Sequence, residues 1–277
     1  MRRLDVSLDD VQKVYAGPER QLWQLIMGEQ VHAGGMAASM RLADAAAIEP
    51  DWHGVDLCCC IGGGVRFLVK RRGCRMVGVD GTMAALDEAR RITAEDGLAD
   101  RAEYRLGDVM AAPAEDEEFD FVWGEDAWCY VVDKGKLISE AFRILKPGGT
   151  IAFTDWVEGP QGLADDEAER ICRFMTFPYL ESLPGYGRLL REAGFVDIHS
   201  LDLTIEFAGH VDLYIRMLTE QLTYDALKII GDDTNLFRSL GGEMDYMRQR
   251  CHEGKMGKGQ WVARKPHWAL SGRHSLT

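Results

Sequence analysis

The stretch GVDLCCCIGGGVRFLVKRRGCRMVGVD, from Gly54 to Asp80, decides the fold of this chain. It predicts a strand over 55–58, a glycine-rich turn over 59–64, a helix over 65–72 and a second strand over 74–79. A strand, turn, helix and strand in this order bind a nucleoside-bearing cofactor at the carboxyl ends of the strands.

The acidic residue at the end of the second strand supports this prediction. Asp80 follows the last apolar residue of that strand directly. An ionised carboxylate accepts two hydrogen bonds, which suits the two hydroxyl groups of a ribose. The stretch therefore predicts a nucleoside cofactor before any other part of the chain is considered.

Helices and strands continue to alternate after this stretch. Helices are predicted at 81–95 and 134–145, and strands at 102–106, 119–123 and 150–155. Five strands separated by helices form a parallel sheet that is covered on both faces.

The rest of the chain predicts additions to this core. Residues 7–47 have a helical pattern that breaks at Gly34-Gly35, and 211–230 predicts one long amphipathic helix. We expect an α/β fold: a Rossmann-like, doubly wound, mostly parallel seven-stranded sheet with N-terminal helices and a helical cap. The expected divisions are an N-terminal helical lid at 1–50, a cofactor-binding core at 51–160, edge strands with a substrate cap at 161–266, and a tail at 267–277.

Charge and composition argue against several classes of protein. The 277 residues include 32 basic and 45 acidic side chains, which gives a formal net charge of −13 and a pI near 5.0. That charge repels phosphate backbones, so we expect no nucleic-acid partner. The chain has no apolar run of membrane-spanning length and no apolar segment typical of a secretory signal, and its seven cysteines do not suggest a disulfide framework. We expect a cytoplasmic protein with a small-molecule substrate and no membrane partner, either a monomer or a homodimer.

The glycine spacing distinguishes between nucleoside cofactors. A nicotinamide-binding loop carries G-x-G-x-x-G, and Gly62-Gly63-Gly64 lacks that spacing. Residues 56–62 instead have the frame of an acidic-x-Gly-x-Gly-x-Gly loop, and from 51 to 156 the chain resembles the class I methyltransferases that use S-adenosylmethionine. Further motifs follow in the order of that family: Gly78-Val79-Asp80, Gly107-Asp108-Val109, Phe119-Asp120-Phe121-Val122-Trp123 and Leu145-Lys146-Pro147-Gly148-Gly149.

Three further segments narrow the resemblance. They are Trp123-Gly124-Glu125-Asp126-Ala127, the segment from Gly28 to Gly35, and the upstream Tyr15. Together they resemble the sarcosine/dimethylglycine N-methyltransferases and phosphoethanolamine methyltransferases, which carry a tyrosine that closes over the cofactor. The resemblance implies S-adenosylmethionine as the cofactor, without a metal. It also implies a set of cofactor-binding residues: Tyr15, Gly34, Gly35, Asp56, Cys58, Cys60, Gly62, Asp80, Gly81, Met83, Gly107, Asp108, Val109, Gly124 and Glu125.

Cys58 and Cys60 depart from this family, which usually has glycine at both positions. A Cβ atom disfavours a positive φ, so either the backbone keeps a negative φ at both residues or the thiols shape an unusual pocket. Side chains alternate between the faces of a strand, so Cys59 does not easily join its neighbours in a metalloid site, and tight packing of small residues is the favoured interpretation. Further thiols for a metalloid site would come from Cys74, Cys129, Cys172 and Cys251.

Four residues are candidates for catalysis of methyl transfer, a direct displacement that needs a dry pocket, an aligned lone pair and a destination for a proton. Tyr15 is either a hydrogen-bond partner in such a pocket or an ordinary core tyrosine. His32 is either a base or a ligand of the cofactor carboxylate, or it only caps a helix or packs near the Gly-Gly break. Asp126 follows the fourth strand, where it holds an acceptor amine or the cofactor ammonium, or caps a helix. Tyr130 replaces a histidine of the relatives and suits a donor better than a base.

Aromatic residues near the strand ends predict the acceptor site, because ammonium and sulfonium groups are attracted to aromatic faces. The candidates are Trp128, Trp156, Phe177, Tyr179 and Tyr186. A phosphate group on the acceptor is disfavoured, since residues 174–180 contain no basic side chain. Four cations remain for an acceptor carboxylate, although surface solvation is their default explanation: Arg216, Lys255, Lys258 and Arg264.

The predicted function is that of an S-adenosylmethionine-dependent methyltransferase, of EC class 2.1.1, which acts on a small molecule. The favoured acceptor is an amine such as sarcosine or dimethylglycine, methylated towards betaine. The alternatives are C-, O- or S-methylation of a small natural product, arsenite methylation by the cysteines, and cofactor binding without catalysis. A nicotinamide oxidoreductase is the least favoured alternative, because the glycine spacing is absent.

Overall fold

Eight strands form one sheet in the computed structural model, which describes residues 3–267. The strands are β1 (His53–Leu57), β2 (Arg75–Asp80), β3 (Ala102–Leu106), β4 (Phe119–Glu125), β5 (Leu145–Glu158), β6 (Glu181–Ser182), β7 (Val196–Asp202) and β8 (Met256–Arg264). Their order is β3-β2-β1-β4-β5-β8-β7, and β6 pairs with the end of β5. Among the described strands, antiparallel pairing occurs only at β8, which pairs in this way with both β5 and β7. The predicted Rossmann-like, mostly parallel sheet of about seven strands is thus confirmed, and the two-residue β6 is an addition to it.

Helices surround this sheet. Within the described residues they are α1 (Leu8–Ala16), α2 (Pro18–Met27), α3 (Gly35–Ala45), α4 (Gly63–Arg72), α5 (Met83–Glu95), α6 (Lys134–Ile144), α7 (Asp165–Met175), α8 (Leu183–Ala193), α9 (Thr204–Glu220), α10 (Thr223–Ile229) and α11 (Thr234–His252). Short 3-10 helices lie at Gly28–Gln30, Val109–Ala111 and Trp128–Tyr130. None of the helices between residues 3 and 267 is long and apolar enough to span a bilayer.

Apolar clusters attach these helices to the sheet. One cluster packs α6 and α8 against β1, β4 and β5, for example through Leu137 and Leu190. A second cluster packs α3, α4 and α5 against the opposite face, for example through Leu42, Phe67 and Leu86. Each fully buried side chain of this size contributes about 1.5–3 kcal/mol. The sheet is therefore a rigid base whose carboxyl edge is left for a ligand.

A third apolar cluster builds the cap. It joins α2, α7, α9 and α11 to the end of β5, with Ile26, Ile171, Phe207 and Met247 buried between them. Trp156, near the end of β5, belongs to the same cluster. Because β5 is shared, the cap is fixed directly to the carboxyl edge of the sheet.

The structure differs from the predicted elements in two places. The single helix predicted at 211–230 is wrong: α9 ends at Glu220, and α10 begins at Thr223. The Thr223 hydroxyl donates to Leu218 O at 2.6 Å, so a side chain satisfies the carbonyl that a continuous helix would have used. The fifth strand, predicted at 150–155, is longer: β5 begins at Leu145 and includes residues 146–149, at an irregularity in its pairing with β4. The tail predicted at 267–277 falls, from residue 268 onward, outside the described residues.

Candidate active site

A cavity of about 110 Å³ lies at the carboxyl ends of β1, β2 and β4. Helix α1 contributes Leu8, Val11 and Tyr15 to its wall. The fold thus brings the N-terminal segment against the sheet edge where the sequence places a cofactor. The predicted cofactor-binding residues that line the cavity are Tyr15, Asp56, Cys58, Cys60, Asp80, Gly81, Gly107, Asp108, Val109 and Glu125.

Two predicted cofactor contacts, Gly62 and Gly124, do not line this cavity and instead allow close packing. A Cβ atom on Gly62 would collide with the ring of Tyr104, and one on Gly124 would collide with the indole of Trp128. Gly62 also has a φ of +74°, which favours glycine. Both glycines are required by their neighbours.

Gly34, Gly35 and Met83 also lie outside the lining of the cavity. The backbone N–H of Gly34 donates to Tyr214 Oη at 3.1 Å, and Gly35 begins α3. Met83 begins α5 and is 47% exposed. All three residues therefore lie in segments next to the cavity and not in its wall.

Cys58 and Cys60 have φ angles of +70° and +47°, so the interpretation with negative φ at both residues is wrong. Hydrogen bonds hold the turn in this conformation. The Cys58 N–H donates to Val79 O at 2.9 Å, and the Cys60 N–H donates to Asp80 Oδ2 at 2.9 Å. Asp80 therefore supports the loop after β1 while it faces the cavity, and the backbone keeps a conformation that usually requires glycine.

Five carboxylates line the cavity: Asp56, Asp80, Asp108, Glu125 and Asp126. Within the described chain, no Lys or Arg lines it. Burial, followed by the charges of Glu125 and Asp80, raises the pKa of Asp56 well above its usual value. Burial also raises the pKa of Asp80, against hydrogen bonds from the backbone N–H groups of Cys60, Thr82 and Gly81 and from the Thr82 side chain, which lower it. A bound cation would relieve the repulsion between these groups. S-adenosylmethionine, with a sulfonium and an ammonium group, fits this requirement.

Asp126 anchors the N-terminal segment to the sheet. Its Oδ2 accepts from the Ala33 N–H at 2.9 Å and from Lys258 Nζ at 2.8 Å, and its Oδ1 accepts from Thr154 Oγ1 at 2.7 Å. Burial raises the pKa of Asp126, but the charges of Lys258 and His32 outweigh it, so the pKa is lowered. Its oxygens are thus engaged within the protein, which favours an anchoring role over the predicted contact with an amine.

His32 is 1% exposed and lies in a polar network beside the cavity. Its Nε2 is 2.9 Å from Ser39 Oγ and 3.2 Å from Glu125 Oε1. Glu125 Oε2 also accepts from Trp123 Nε1 at 3.0 Å. The network fixes the imidazole between the cofactor cavity and a smaller cavity that His32 lines.

Tyr15 and Tyr130 form a pair at the junction of these two cavities, since both residues line both. Their rings meet edge to face with centroids 5.2 Å apart. Burial is the main cause that raises the pKa of each phenol above its usual value. Both hydroxyls therefore keep their protons at neutral pH and act as hydrogen-bond donors, not as bases.

Two of the predicted acceptor-binding residues, Trp156 and Phe177, line the smaller cavity. Trp128 and Tyr186 do not line any described cavity and are wholly buried in the core of the sheet. The Trp128 Nε1–H donates to Leu57 O at 3.1 Å, and the Tyr186 hydroxyl donates to Asp155 Oδ2 at 2.6 Å. Their polar atoms are already used, so the structure does not support contact with an acceptor.

Tyr179 is likewise placed away from the described cavities. Lys134 Nζ lies 3.8 Å from the centre of its ring, and the Arg3 guanidinium lies 4.6 Å away. The ring is therefore engaged by two cations of the protein. This arrangement does not favour the predicted role in binding a cationic acceptor.

The four cations considered for an acceptor carboxylate do not line the described cavities. Lys258 pairs with Asp126, and Lys255 pairs with Glu167 at 2.8 Å. Arg216 and Arg264 are exposed. No counter-charge for a carboxylate or a phosphate is therefore found there.

The adjacent thiols are in a poor state for binding a metalloid. Burial, followed by the charge of Asp80, raises the pKa of Cys58 and Cys59 well above the usual thiol value, and that of Cys60 to about 12. The thiolate is the form that coordinates. Within residues 3–267, no group of three or more His, Cys, Asp or Glu side chains is arranged to hold a metal ion. The packing interpretation of the cysteines is therefore favoured.

Sequence reasoning missed part of the cavity wall, notably Leu8, Val11 and Gln30. Leu8, Val11 and Tyr15 recur at positions i, i+3 and i+7, so the helical periodicity of α1 was the available signal. Gln30 lies in the segment from Gly28 to Gly35 on which the resemblance rests, but that segment did not single it out as a residue of the cavity wall. Its buried Oε1 has no hydrogen-bond partner in the described chain, which leaves an acceptor for a ligand.

Comparison with known proteins identifies the class of this fold and site. Residues 55–153 match the methyltransferase domain family. The crystal structure of Haemonchus contortus phosphoethanolamine N-methyltransferase 2 with S-adenosyl-L-methionine superimposes with a TM-score of 0.83 at 22% identity, over 94% of this chain and 60% of that one. Residues 55–153 are thus similar to a methyltransferase domain, and the fold is the Rossmann-like fold of the class I methyltransferases. Both findings agree with the predicted resemblance, and they support the predicted enzyme class, EC 2.1.1, and the predicted cofactor, S-adenosylmethionine.

The curated relatives act on different acceptors. The chain is similar to the glycine/sarcosine/dimethylglycine N-methyltransferase of Actinopolyspora halophila, at 26% identity over 84% of this chain and 40% of that protein. It is also similar to the tocopherol O-methyltransferase of Arabidopsis thaliana, at 29% identity over 58% of this chain and 49% of that protein. The chain spans about half the length of the curated relatives it matches.

Proposed function

We propose that this protein transfers the methyl group of S-adenosylmethionine to a small acceptor without a carboxylate or phosphate, held beside Tyr15 and Tyr130. The observation that carries the proposal is the cavity at the carboxyl ends of the strands, where Asp56, Asp80 and Asp108 face a space that no Lys or Arg among residues 3–267 lines. Asp80 suits the ribose hydroxyls and Asp108 the adenine, while the remaining negative charge attracts the cationic methyl donor.

The chemistry is a displacement at carbon. The bond between sulfur and methyl breaks as the acceptor nitrogen, oxygen or carbon bonds to the methyl group, which leaves S-adenosylhomocysteine. The Tyr15 and Tyr130 hydroxyls orient the acceptor as donors, because their raised pKa keeps them protonated. We assign the proton that the acceptor loses to His32, which lies 3.2 Å from the carboxylate of Glu125.

The charges around the site favour the natural-product alternative over sarcosine or dimethylglycine. Each of those amino acids carries a carboxylate, and within the described chain neither Lys nor Arg lines the cavities to pair with it. A buried carboxylate without a partner is strongly disfavoured. An amine, alcohol or carbon nucleophile on an uncharged body avoids this cost.

Calorimetric titration with S-adenosylhomocysteine tests the cofactor part of the proposal. We expect one molecule to bind per chain, and Asp80→Asn to weaken binding by about 1.5–3 kcal/mol, the range for hydrogen bonds to a charged group. Asp87→Asn is the control, because Asp87 is exposed on α5 and pairs only with Arg90 among the described contacts. A well-folded protein that gives no heat with S-adenosylhomocysteine would exclude the proposed function.

A screen for methylated products, read by mass spectrometry, tests the acceptor part. The acceptors are glycine, sarcosine, dimethylglycine, ethanolamines, thiols and arsenite, together with uncharged phenols and amines. We expect products only from acceptors that lack a carboxylate or a phosphate. Turnover of sarcosine as the preferred acceptor would refute this choice and leave the cofactor assignment intact.

A further inference from the structure

A second cavity, of about 250 Å³, lies under the cap between α2, α9 and α11. Its wall includes Trp23 from α2, Leu218 from α9, and Leu240 and Met244 from α11. Glu19, which is exposed, is the one charged residue among the described lining. A cavity with this wall binds hydrocarbon groups and rejects charged ones.

The second cavity adjoins the reaction site. Tyr130 lines the cofactor cavity, the smaller cavity and the cavity under the cap. Trp23 and Met175 also line both the smaller cavity and the one under the cap. A molecule whose reactive group lies beside Tyr15 and Tyr130 therefore has the apolar cavity directly behind it.

One polar group marks where the apolar and reactive parts of such a molecule meet. Trp156 is 6% exposed and lines the smaller cavity. Its Nε1–H has no hydrogen-bond partner within the described chain. A buried N–H group without a hydrogen-bond partner costs free energy. An oxygen or nitrogen atom of the bound molecule at this point would accept the hydrogen bond and remove that cost.

We propose that the methyl acceptor is an amphiphile, with its reactive hydroxyl, amine or carbon beside Tyr15 and Tyr130 and an alkyl, isoprenoid or aromatic body in the cavity under the cap. This inference rests on the proposed function and names the substrate class of the same site. A short zwitterion would leave the apolar wall unused and its own carboxylate unpaired. The length of the body, and not its charge, then sets the affinity.

Gly241 and Gly242 provide a matched pair of variants. Both lie on α11, and a Cβ atom on either meets no other atom within 4 Å. Gly241 lines the cavity under the cap, and Gly242 does not. Gly241→Trp should fill the cavity, while Gly242→Trp adds the same side chain outside it.

The test is calorimetric titration of 4-n-alkylphenols, from methyl to hexyl, into the protein saturated with S-adenosylhomocysteine. We expect the affinity to rise about fourfold for each added methylene, the factor for burying one such group, until the cavity is filled. Gly241→Trp should lose at least tenfold in affinity for hexylphenol, and Gly242→Trp should match the unmodified protein. Should Gly241→Trp not fold, Met244→Ala serves instead, since a wider cavity moves the limit to longer chains.

The outcomes separate the two proposals. A protein that does not bind S-adenosylhomocysteine refutes the proposed function itself. A protein that binds S-adenosylhomocysteine, but binds all the phenols equally, refutes only the amphiphilic acceptor. Equal losses in Gly241→Trp and Gly242→Trp also refute it, because they would show that the cavity is not the site of the alkyl chain.

Discussion

The role of the Tyr15 hydroxyl can be tested separately from the role of its ring. Tyr15→Phe removes the donor but keeps the ring that meets Tyr130. We expect turnover to fall about tenfold, the value of one hydrogen bond of ~1.5 kcal/mol, while binding of S-adenosylhomocysteine changes less. Steady-state kinetics with calorimetry measures both, and Tyr224→Phe, at an 88% exposed residue, is the control. The reverse pattern would make Tyr15 a residue of the cofactor pocket alone.

Cys60 tests how much strain the unusual loop contains. Its φ of +47° costs a side chain with a Cβ atom about 1–2 kcal/mol. Cys60→Gly should therefore raise the free energy of unfolding, by up to about 1 kcal/mol after the added backbone entropy, and Cys60→Val should lower it. Chemical denaturation measures both changes. The control is Cys74→Gly, which should destabilise, because Cys74 is buried and does not have a positive φ.

The sequence identified single residues well where a motif follows a strand. Asp80 ends β2 and Asp108 follows β3, and the carboxyl ends of these neighbouring parallel strands must meet at one edge of the sheet. It did not identify the burial of Trp128 and Tyr186, because proximity to a strand end does not determine which way a side chain turns. It also missed Gln30, whose position depends on how the N-terminal segment packs.

At the scale of elements, Lys258 on β8 and Asp126 after β4 hold the segment before α3. Both side chains are at most 3% exposed, and Lys258 Nζ also donates to Ala33 O at 2.8 Å. Lys258→Met leaves a buried carboxylate unpaired, so we expect the free energy of unfolding to fall by about 3–5 kcal/mol. The double variant with Asp126→Asn should lose less than the sum of the single changes.

Lys70→Met is the control for this denaturation experiment. Lys70 pairs with Asp96 at 2.7 Å, but its side chain is 46% exposed. An exposed pair contributes about 0–1 kcal/mol. If Lys258→Met cost no more than Lys70→Met, the anchoring role of the buried pair would have to be abandoned.

Helices and strands were predictable from the sequence where the periodicity of apolar residues and the residues that end an element indicate the same boundary. β3 at Ala102–Leu106 matches its predicted range, and α6 ends one residue before the predicted end. The division between α9 and α10 was not predictable from apolar periodicity, which continues across it. The side-chain hydrogen bond of Thr223 ends the helix there, and such a bond leaves no trace in the hydrophobic pattern.

At the scale of the whole molecule, Asp155 makes stability depend on pH. Burial raises its pKa to about 6, although the Tyr186 hydroxyl and the Cys129 N–H donate to its oxygens. Because the folded-state pKa lies above the unfolded value, the contribution of Asp155 to stability is complete below about pH 4. It is lost as the pH rises through about 6, and the loss amounts to at most about 3 kcal/mol.

Denaturation at a series of pH values isolates this contribution. The unmodified protein is compared with the double variant Asp155→Asn with Tyr186→Phe. Both oxygens of Asp155 accept hydrogen bonds, but an amide has only one oxygen, so the second change removes the hydroxyl donor that the amide NH₂ group could not accept. We expect the stability of the unmodified protein, relative to the variant, to decline between pH 4 and 7. A constant difference across that range would show that Asp155 does not titrate there. Asp56, whose pKa is also raised, remains in both proteins.

The side chains of helix α1 are half-buried or exposed, and Gln12 Nε2 ties the helix to the loop after β2 by a hydrogen bond of 2.6 Å to Gly81 O. The neighbouring segment at Ala33 is instead fixed by a buried ion pair. We therefore expect α1, the less firmly attached of the two walls, to give way first when a nucleoside leaves the cavity. Tyr15 lies on that helix, so such a movement would separate it from Tyr130. The proposed reaction would then require α1 in place, and product release would require it displaced.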